Sequence, residues 1–465
     1  MKKIFSISLI LAGAFAFTAC VHEEGDIFDQ SAAERLNEAS DLYSARLGAS
    51  PNGWAMQYYP TTEGEFPYGT GYLILMDFNA DGSVTVAMNN QFTNNRYLTD
   101  TSLWEVITDD GPVLSFNSYN KCMHAFSDPE DIPWTGSEDD QNDEQGEGAG
   151  GDYEFIVVDA PEDGSYLMLK GKKRGTYNLL TPIEEGVEYE SYLKDVIDFQ
   201  NTYFPSTALN NILLHMGEET FEVSDMAANA CPTIYPLGSD PIVEGDNLPY
   251  IITKRGQDYY LRFRSEYSNR SLTKAAQDFK LDESIQRFVA TNDEEVYFEG
   301  PNAANFLVSR LSVSVWNYLT AEGKASENIA STYNQVVKDL ANSSNKYTVN
   351  AVRFETIKNE PVLCIDLQYR KSSKTNKVTL EYKYTINSDG DVATLQYVEP
   401  NNDAAKNVLS TIPSISTFLN ILSGQFKVQG AKNGFVLNQL RLTSAEDEGT
   451  YFEILSPNSG NTNVN

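Results

Sequence analysis

The chain has 465 residues, of which 66 are acidic and 34 basic, and its formal net charge is −32. A body this acidic repels nucleic acid and anionic lipid surfaces, which argues against a nucleic-acid partner. Three histidines are too few for a histidine-rich metal site, and the sequence predicts no cofactor. Beyond residue 20 the cysteines are an odd, sparse set that makes no disulfide framework: Cys122, Cys231 and Cys364.

Residues 1–19 have the composition of a secretory signal peptide. Lys2 and Lys3 precede an apolar run that is too short to span a bilayer, and small residues lead to Cys20. A cysteine at this point resembles a lipobox, whose cysteine is acylated. We therefore expect lipidation at Cys20, a tether over residues 20–30, and contact with the lipid bilayer through that lipid alone. The alternative is an ordinary secreted cysteine after a signal peptide.

The residues that follow Cys20 are acidic, with Glu23, Glu24 and Asp26 in close succession. This start resembles the surface-export signal of Bacteroidota outer-membrane lipoproteins. The resemblance implies a protein that is anchored to the outer membrane and faces the extracellular side. A plain acidic tether is the alternative, because acidic tethers are common in acidic proteins.

Residues 31–185 are predicted to form an N-terminal domain that opens with a helix. Ser31 and Glu34 fit a capping box, and apolar residues then recur at helical spacing up to Leu47. After this helix the apolar period changes to two, which indicates half-buried strands of an antiparallel sheet. Asn79-Ala80-Asp81-Gly82 predicts a hairpin turn between two strands. Many short strands at this spacing are typical of a sandwich or a barrel.

An acidic insertion interrupts this domain at residues 128–152, with ten carboxylates and no Lys or Arg. Its low apolar content predicts an acidic loop that cannot order itself by burial. Asp139, Asp140 and Asp143 are candidates for binding Ca²⁺, because carboxylates at this density suit a hard cation. An EF-hand counted from Asp140 fails, since its sixth and twelfth positions lack the required Gly and Glu. The glycine-rich run 146–151 is acidic and opens no helix, which excludes a dinucleotide site.

Residues 186–248 are predicted to hold one helix and an irregular connection. Apolar residues recur at helical spacing over residues 187–204. A stretch with four prolines follows, and prolines at this density favour irregular structure between domains.

Residues 249–465 are predicted to form a second, β-rich domain with packed helices. Helices are expected at 327–342 and at 403–423, the latter bent at Pro413. Asn387-Ser388-Asp389-Gly390 repeats the pattern of the first hairpin turn. A common turn used twice is favoured over a duplicated module, because the similarity stops at the turn. The fold class is therefore α+β and predominantly antiparallel β, with a sandwich- or barrel-like N-terminal domain.

Cys122 and His124 are the one suggestive pair of reactive side chains. If both lie on a strand, residues two apart face the same way, so thiol and imidazole could hold a metal or form a nucleophile–base pair. A pair of core neighbours is the favoured interpretation, because Cys is often buried. No catalytic motif is found elsewhere, and no catalytic residue is predicted.

Trp134 differs from the other three tryptophans. Trp54, Trp104 and Trp316 lie in apolar-periodic stretches and are predicted to be buried. Trp134 follows Pro133 within the acidic insertion, which favours an exposed loop. We predict that Trp134 contacts a ligand, and the alternative is a lid over the sheet.

Four runs of residues, at 53–60, 118–129, 151–155 and 169–173, carry a resemblance that covers most of the chain after Cys20. They resemble a Bacteroidota cell-surface lipoprotein family that is carried as a domain of unknown function. Proteins of this kind are similar to accessory lipoproteins of outer-membrane nutrient importers. The resemblance implies no catalytic residue.

Together these observations predict an outer-membrane surface lipoprotein that is a non-catalytic binding or accessory subunit. We expect it to capture oligosaccharide or peptide and to have outer-membrane importer components as partners. Two alternatives remain: a glycoside hydrolase that uses carboxylates alone, and a purely structural partner subunit with a large apolar patch.

Overall fold

A computed structural model describes residues 31–61, 70–109, 111–128, 148–204, 212–226, 230–432, 434–435 and 437–456. These residues form 25 strands and seven α-helices, with 44% strand and 21% helix. The antiparallel strands make two closed barrels and a nine-stranded sheet. The predicted fold class, predominantly antiparallel β with packed helices, is confirmed.

The first helix, α1 (Ala32–Leu47), begins with the predicted capping box. The Ser31 hydroxyl accepts from the Glu34 N–H at 3.2 Å, and a Glu34 carboxylate oxygen accepts from the Ser31 N–H at 2.9 Å. These two bonds satisfy backbone donors that a helix start leaves unpaired. At the other end, Leu47 is buried in the core of the N-terminal barrel, and its carbonyl accepts from the Trp54 indole at 2.7 Å.

The N-terminal barrel is an up-and-down meander in which each strand pairs with the next and the eighth pairs with the first. Its strands are β1 Trp54–Tyr58, β2 Tyr72–Phe78, β3 Ser83–Met88, β4 Leu98–Thr108, β5 Pro112–Phe116, β6 Glu154–Asp159, β7 Leu167–Gly171 and β8 Tyr177–Pro182. Alternate residues point inward, and buried Trp54, Met56 and Tyr58 are part of the filled interior. A 3₁₀ helix, His124–Phe126, contributes the fully buried Phe126 to this core.

The predicted hairpin turn joins β2 to β3. Gly82 has a φ of 82°, a left-handed conformation that Gly adopts without steric cost, and its N–H donates to the Asn79 carbonyl at 3.1 Å. The similar turn at Gly390 joins the fourth and fifth strands of the other barrel, not its second and third. The two turns therefore occupy different places in their barrels, which supports a common turn used twice.

A helix and a nine-stranded sheet follow the N-terminal barrel. The helix α2 (Tyr189–Tyr203) confirms the predicted helix. The sheet has the order β12-β11-β10-β9-β17-β16-β15-β14-β13. Its strands are β9 Ile212–Met216, β10 Glu219–Ser224, β11 Thr233–Pro236, β12 Asp246–Asn247, β13 Tyr250–Arg255, β14 Asp258–Ser268, β15 Ala275–Asp282, β16 Arg287–Ala290 and β17 Val296–Glu299. The one-turn helix α3 (Pro241–Glu244) lies between β11 and β12.

The prediction of an irregular connection within residues 186–248 is wrong for residues 212–247, because this stretch holds β9 to β12. Two of its prolines lie where a missing N–H costs no hydrogen bond of a sheet or helix. Pro236 is the last residue of β11, and Pro241 is the first residue of α3, where the backbone N–H has no partner within the helix.

Helix α2 packs between the sheet and the outer wall of the N-terminal barrel. One continuous core contains Leu193 and Phe199 of α2 together with Leu75 and Ala87, which point outward from the barrel. This arrangement brings one edge of the sheet, β13, against the start of β2.

The C-terminal barrel repeats the eight-stranded meander. Its strands are β18 Trp316–Tyr318, β19 Thr348–Ile357, β20 Glu360–Lys371, β21 Lys374–Asp389, β22 Val392–Pro400, β23 Gly424–Gly430, β24 Gln439–Ser444 and β25 Tyr451–Leu455. Four helices pack on it: α4 Ala303–Arg310, α5 Glu327–Asn342, α6 Asp403–Thr411 and α7 Pro413–Ile421. The predicted bent helix at 403–423 is two helices, because Pro413 begins α7.

Phe435, from the connection between β23 and β24, joins the C-terminal barrel to the sheet. It is 4% exposed, and its ring centroid lies 5.7 Å from that of Phe204 and 6.4 Å from that of Phe288. The adjacent Gly434 N–H donates to the Gln286 side chain at 3.1 Å. The boundaries predicted between domains, at residues 185 and 248, stay predictions.

Candidate functional site

The predicted pair of Cys122 and His124 does not lie on a strand. Cys122 lies in a turn and His124 begins the 3₁₀ helix that follows, so the period-two argument does not apply to them. The Cys122 thiol is buried and donates to the Val86 carbonyl at 3.5 Å, and burial raises the pKa of this thiol to about 12. Cys122 is therefore a core residue, as the favoured interpretation held.

His124 instead lies between two tyrosine rings. Its ring centroid is 5.0 Å from that of Tyr119 and 4.8 Å from that of Tyr153. The Nδ1 atom accepts from the Asn120 N–H at 3.0 Å, which leaves the proton of the neutral ring on Nε2. Burial lowers the pKa of His124, so this imidazole is neutral at pH 7. It is a packed ring rather than a base beside Cys122.

Two of the four runs that carry the family resemblance meet at one end of the N-terminal barrel. The buried Asp152 carboxylate accepts from the Lys173 N–H at 3.1 Å and from the Arg174 N–H at 2.8 Å. Burial raises the pKa of Asp152, while these two bonds oppose the rise. Gly171 is required here, because a Cβ at this position would lie 2.3 Å from an Asp152 carboxylate oxygen. These hydrogen bonds join the runs at 151–155 and 169–173, so the two runs stabilise this end of the barrel.

The acidic insertion leaves and rejoins the barrel at the same point. The Gly151 N–H donates to the Phe126 carbonyl at 2.9 Å, and Gly148 approaches the main chain of Ser127. Ala149 is 1% exposed, so the end of the predicted insertion belongs to the packed barrel rather than to an unburied loop.

Several predicted site residues lie outside the described residues. These are Cys20, Trp134 and the Ca²⁺ candidates Asp139, Asp140 and Asp143. Their predicted roles stay predictions. Within the part of the chain that the structure describes, no group of three or more His, Cys, Asp or Glu side chains is arranged to hold a metal ion.

A cleft of about 500 Å³ lies where the N-terminal barrel, helix α2 and the edge strand β13 meet. The barrel contributes residues 70–73 and the connection that follows β3, and the helix contributes one face of residues 193–201. β13 contributes its first three residues, and Ala230 lies beside them. Gly71 permits this close approach, because a Cβ there would lie 2.4 Å from the Ile251 side chain. We define these residues as the amide cleft.

The described lining of the amide cleft contains no charged side chain. Its polar groups are the hydroxyls of Thr70, Tyr72 and Tyr250 and six carboxamides, from Asn89, Asn90, Gln91, Asn95, Gln200 and Asn201. Two other cavities of this protein differ: one is lined by Asp258, Lys280, Asp282 and Glu283, and the other by Lys274 with four glutamates. The neutrality of the cleft is thus a local property in a strongly charged chain.

The carboxamides divide into those that hold the structure and those that face the cleft without a partner. Asn90 caps a second 3₁₀ helix, Gln91–Thr93. Its side-chain oxygen accepts from the Phe92 N–H at 2.9 Å. The side chains of Asn89, Asn95 and Asn201 have no hydrogen-bond partner among the described residues. Each such group can both donate and accept a hydrogen bond. They are the groups that a ligand would engage.

The cleft offers no acid or base at neutral pH among its described lining residues. Tyr72 and Tyr250 are its only ionisable side chains there, burial raises the pKa of Tyr72 to about 12, and burial raises the pKa of Tyr250 further. Both phenols are therefore protonated at pH 7. This chemistry suits binding and not proton transfer.

Sequence reasoning missed this cleft. The run Asn89-Asn90-Gln91, with Asn94 and Asn95 soon after, was a possible signal. Asn94 and Asn95 both have positive φ, at 53° and 54°, which explains Asn at these turn positions without any ligand. Nothing in the sequence pairs this run with the carboxamides of α2.

Fold and cleft together define a β-barrel protein with a neutral cleft beside its first barrel. The chain belongs to a family described as a domain of unknown function, DUF4302, whose model matches residues 24–283. The matched region includes every residue that lines the amide cleft and ends before the C-terminal barrel. No curated protein matches the chain. Among the described residues, no helix combines the length and hydropathy of a transmembrane segment.

Two solved structures align with the chain over most of its length. The DNA polymerase III beta chain of Streptococcus pneumoniae TIGR4 is 9% identical, covers 90% of this chain and 98% of its own, and has a TM-score of 0.11. The DNA polymerase sliding clamp of Pseudomonas aeruginosa, with ligand, is 8% identical, covers 91% and 97%, and has a TM-score of 0.13. Likeness at such TM-scores supports no inference about fold or function.

Proposed function

We propose that this protein is a lipid-anchored surface protein that captures an uncharged, hydrogen-bonding ligand, an oligosaccharide or a peptide, in the amide cleft. The observation that carries the proposal is the described lining, which has six carboxamides and no charged side chain. A charged ligand would lose its hydration there without meeting a counter-charge, which costs several kcal/mol. Hydroxyl and amide groups would instead find donors and acceptors.

A capture role is favoured over glycoside hydrolysis. A carboxylate-based glycosidase needs two carboxyl groups either about 5 Å or about 6.5–9.5 Å apart across its cleft. The described lining of the amide cleft has no carboxyl group, and its phenols are protonated at neutral pH.

The proposed location rests on the sequence. The signal peptide and the lipobox-like Cys20 support a lipid anchor, and Glu23, Glu24 and Asp26 support export to the outer face of the outer membrane. The resemblance to Bacteroidota accessory lipoproteins supports importer components as partners. We propose that the protein presents captured ligand to such an importer.

A binding screen with matched variants tests the cleft. Residues 21–465 would be screened against neutral oligosaccharides and against uncharged, end-blocked peptides. Asn89→Ala with Asn201→Ala should weaken the best ligand about fivefold to a hundredfold, because two hydrogen bonds of about 0.5–1.5 kcal/mol each are lost. Stability should not change, since neither side chain bonds another described residue.

Asn407→Ala is the matched control, because Asn407 is exposed on α6 and far along the chain from the cleft. It should leave affinity unchanged. Equal affinity of the double variant and the control would refute ligand capture in this cleft.

A further inference from the structure

The hairpin of β20 and β21 extends beyond its neighbouring strands in the C-terminal barrel. The first residue of β19, Thr348, pairs with Gln368, and β22 ends its pairing with β21 at Tyr382. Beyond that level β20 and β21 pair only with each other, as far as the two-residue turn 372–373. We define residues 368–377 as the basic arm.

The basic arm concentrates positive charge in a chain that is otherwise acidic. Its four cations are Arg370, Lys371, Lys374 and Lys377, and the sequence has no Asp or Glu from residue 367 to residue 380. All four residues are exposed. The arm is therefore a local exception to the net charge of −32.

The positive charges of the arm are not balanced within the described part of the chain, where none of the four cations forms an ion pair. The ion pairs of the same two strands lie nearer the barrel and involve Asp366 of β20 and Lys383 of β21. Lys371 and Lys374 are directly opposite in the register, and like charges at such positions destabilise a hairpin. Folding of the hairpin thus gives no reason for the charge at its tip.

The cations surround the tip of the arm and do not line one face of it. Directly opposite residues of a hairpin share a face, and neighbours along a strand alternate. Lys371 and Lys374 therefore lie on one face, and Arg370 and Lys377 lie on the other. A groove or a flat protein surface would contact one face only. A contact that the tip makes with a plane of negative groups uses both faces.

The arm also holds its charges away from the acidic body. Three residues of each strand and the turn, at about 3.3 Å for each residue, place the tip roughly 13 Å beyond the last pair with β19. The Debye length is about 8 Å at physiological ionic strength. Repulsion between the acidic body and an anionic surface is therefore largely screened when the tip touches that surface.

Two tyrosines and a fifth cation lie at the base of the arm. The ring centroids of Tyr347 and Tyr369 are 5.3 Å apart, and both residues are half-buried. Lys346, next to Tyr347, is exposed. Tyrosine combines an apolar ring with a polar hydroxyl, which suits the boundary between lipid headgroups and water.

We propose that the basic arm binds the phosphate groups of an anionic lipid surface and forms a second membrane contact beside the lipid proposed at Cys20. A cluster of at least four Lys and Arg residues close to a membrane anchor is typical of binding to anionic headgroups. The inference goes beyond the proposed function and takes from it only the anchor, which keeps the arm near such a surface. It differs from the expectation that the lipid alone contacts the bilayer, because net charge does not reveal a local surplus of cations.

Vesicle binding by residues 21–465, which lack Cys20 and its lipid, tests the arm by itself. The probes are vesicles of phosphatidylcholine alone and vesicles with about one third phosphatidylglycerol, at an ionic strength of about 0.1 M. The protein should sediment with the anionic vesicles and not with the neutral ones. Lys371→Gln with Lys374→Gln should weaken this binding about 25-fold, at about fivefold for each charge removed. Its melting temperature should not fall, since the two lysines repel each other.

Lys121→Gln with Lys358→Gln is the matched control, because it removes the same charge from exposed positions outside the arm. Lys358 lies in the turn at the opposite end of β20. The control should bind anionic vesicles as the parent protein does. Equal weakening of binding in the two double variants, or equal binding of the parent to neutral and anionic vesicles, would refute the proposal.

Two further measurements exclude other partners of the arm. If the parent protein binds soluble dextran sulfate and does not bind anionic vesicles, the arm recognises a polyanion and the lipid proposal fails. It fails also if the arm variant abolishes self-association of a parent protein that binds no vesicles. Asn89→Ala with Asn201→Ala should bind vesicles as the parent does, so a failure of the arm and a failure of the amide cleft are distinguishable.

Discussion

Tyr58 and Asp152 hold each other through two hydrogen bonds. The Tyr58 hydroxyl accepts from the Asp152 N–H at 2.8 Å and donates to the Asp152 carbonyl at 3.1 Å. Both residues are buried, at 0% and 5% exposure. Because Asp152 also accepts hydrogen bonds from the turn between β7 and β8, this pair joins β1, the residues just before β6 and that turn.

Tyr58→Phe should therefore destabilise the N-terminal barrel. The change leaves a buried N–H and a buried C=O without partners, and each such loss costs about 1–3 kcal/mol, so about 2–6 kcal/mol is expected. Urea unfolding followed by tryptophan fluorescence measures it. Tyr177→Phe is the control, since Tyr177 is 54% exposed and should lose almost nothing. Equal losses of unfolding free energy in the two variants would contradict a stabilising role of the Tyr58–Asp152 hydrogen bonds.

The acidic segment between Asp128 and Gly148 should be dispensable for folding. A Cβ built on Gly148 lies 3.1 Å from the Asp128 nitrogen, so a short linker can close the gap. Replacing residues 130–146 with Gly-Ser-Gly should leave the melting temperature within about 2 °C, since loop length contributes little to stability. The replacement must stop before Ala149, which is buried.

Melting with and without Ca²⁺ tests the alternative interpretation, that the acidic segment binds this ion. A melting temperature that Ca²⁺ raises only when residues 130–146 are present would reveal a metal site, with Asp139, Asp140 and Asp143 as candidates. No such dependence is expected if the segment is a solvated acidic loop.

Glu453 gives the C-terminal barrel a dependence on pH. Burial alone would raise its pKa, but hydrogen bonds from Arg441, Gln439 and Lys324 hold the pKa of Glu453 below the ordinary value. Since the pKa is lower in the folded state, the stabilisation is present above the unfolded pKa of about 4.3 and is lost as pH falls through the folded pKa.

Glu453→Gln should cost about 1–3 kcal/mol at pH 7, because the carboxylate is 2% exposed while its cationic partners keep contact with water. The difference from the parent protein should shrink below about pH 4. Thermal melting at pH 7 and at pH 3.5 measures both values. Glu446→Gln, at an exposed position, controls for the change in net charge. A penalty that is equal at both pH values would contradict this account.

Cys20→Ala should release the protein from membranes, because the proposed lipid is its hydrophobic anchor. Fractionation of cells, followed by a wash at high salt, measures the distribution. A variant that still sediments with membranes after the wash would show that Cys20 is not the anchor.

The sequence predicts those elements whose own residues carry a regular pattern. The α5 helix matches the predicted bounds, since Ile329, Val336 and Leu340 mark one buried face. β15 was not predicted, because its buried residues Ala276 and Phe279 are three apart and break the period of two. A register shift in its pairing with β14 accompanies this break. Tertiary context, not local pattern, makes β15 a strand.

The amide cleft could not be predicted for a different reason. Its two sets of carboxamides, represented by Asn89 and Asn201, lie more than a hundred residues apart, and neither set belongs to an apolar period. Their meeting depends on how α2 packs against the barrel and on the space left by Gly71. Packing between elements brings such distant residues together. The spacing of apolar residues within one element does not predict that packing.

Salt titration of ligand binding tests the central claim, that the cleft selects an uncharged ligand without using charge of its own. At 0.1 M salt the Debye length is about 10 Å, so affinity that depends on charge falls as salt rises. We predict that the dissociation constant of the best ligand stays within about twofold between 0.05 and 0.5 M NaCl. Asn201→Asp, which adds a charge to the lining, should weaken binding at every salt concentration. An affinity that drops tenfold or more with salt in the parent protein would show that the charged surface carries the binding and would contradict the claim.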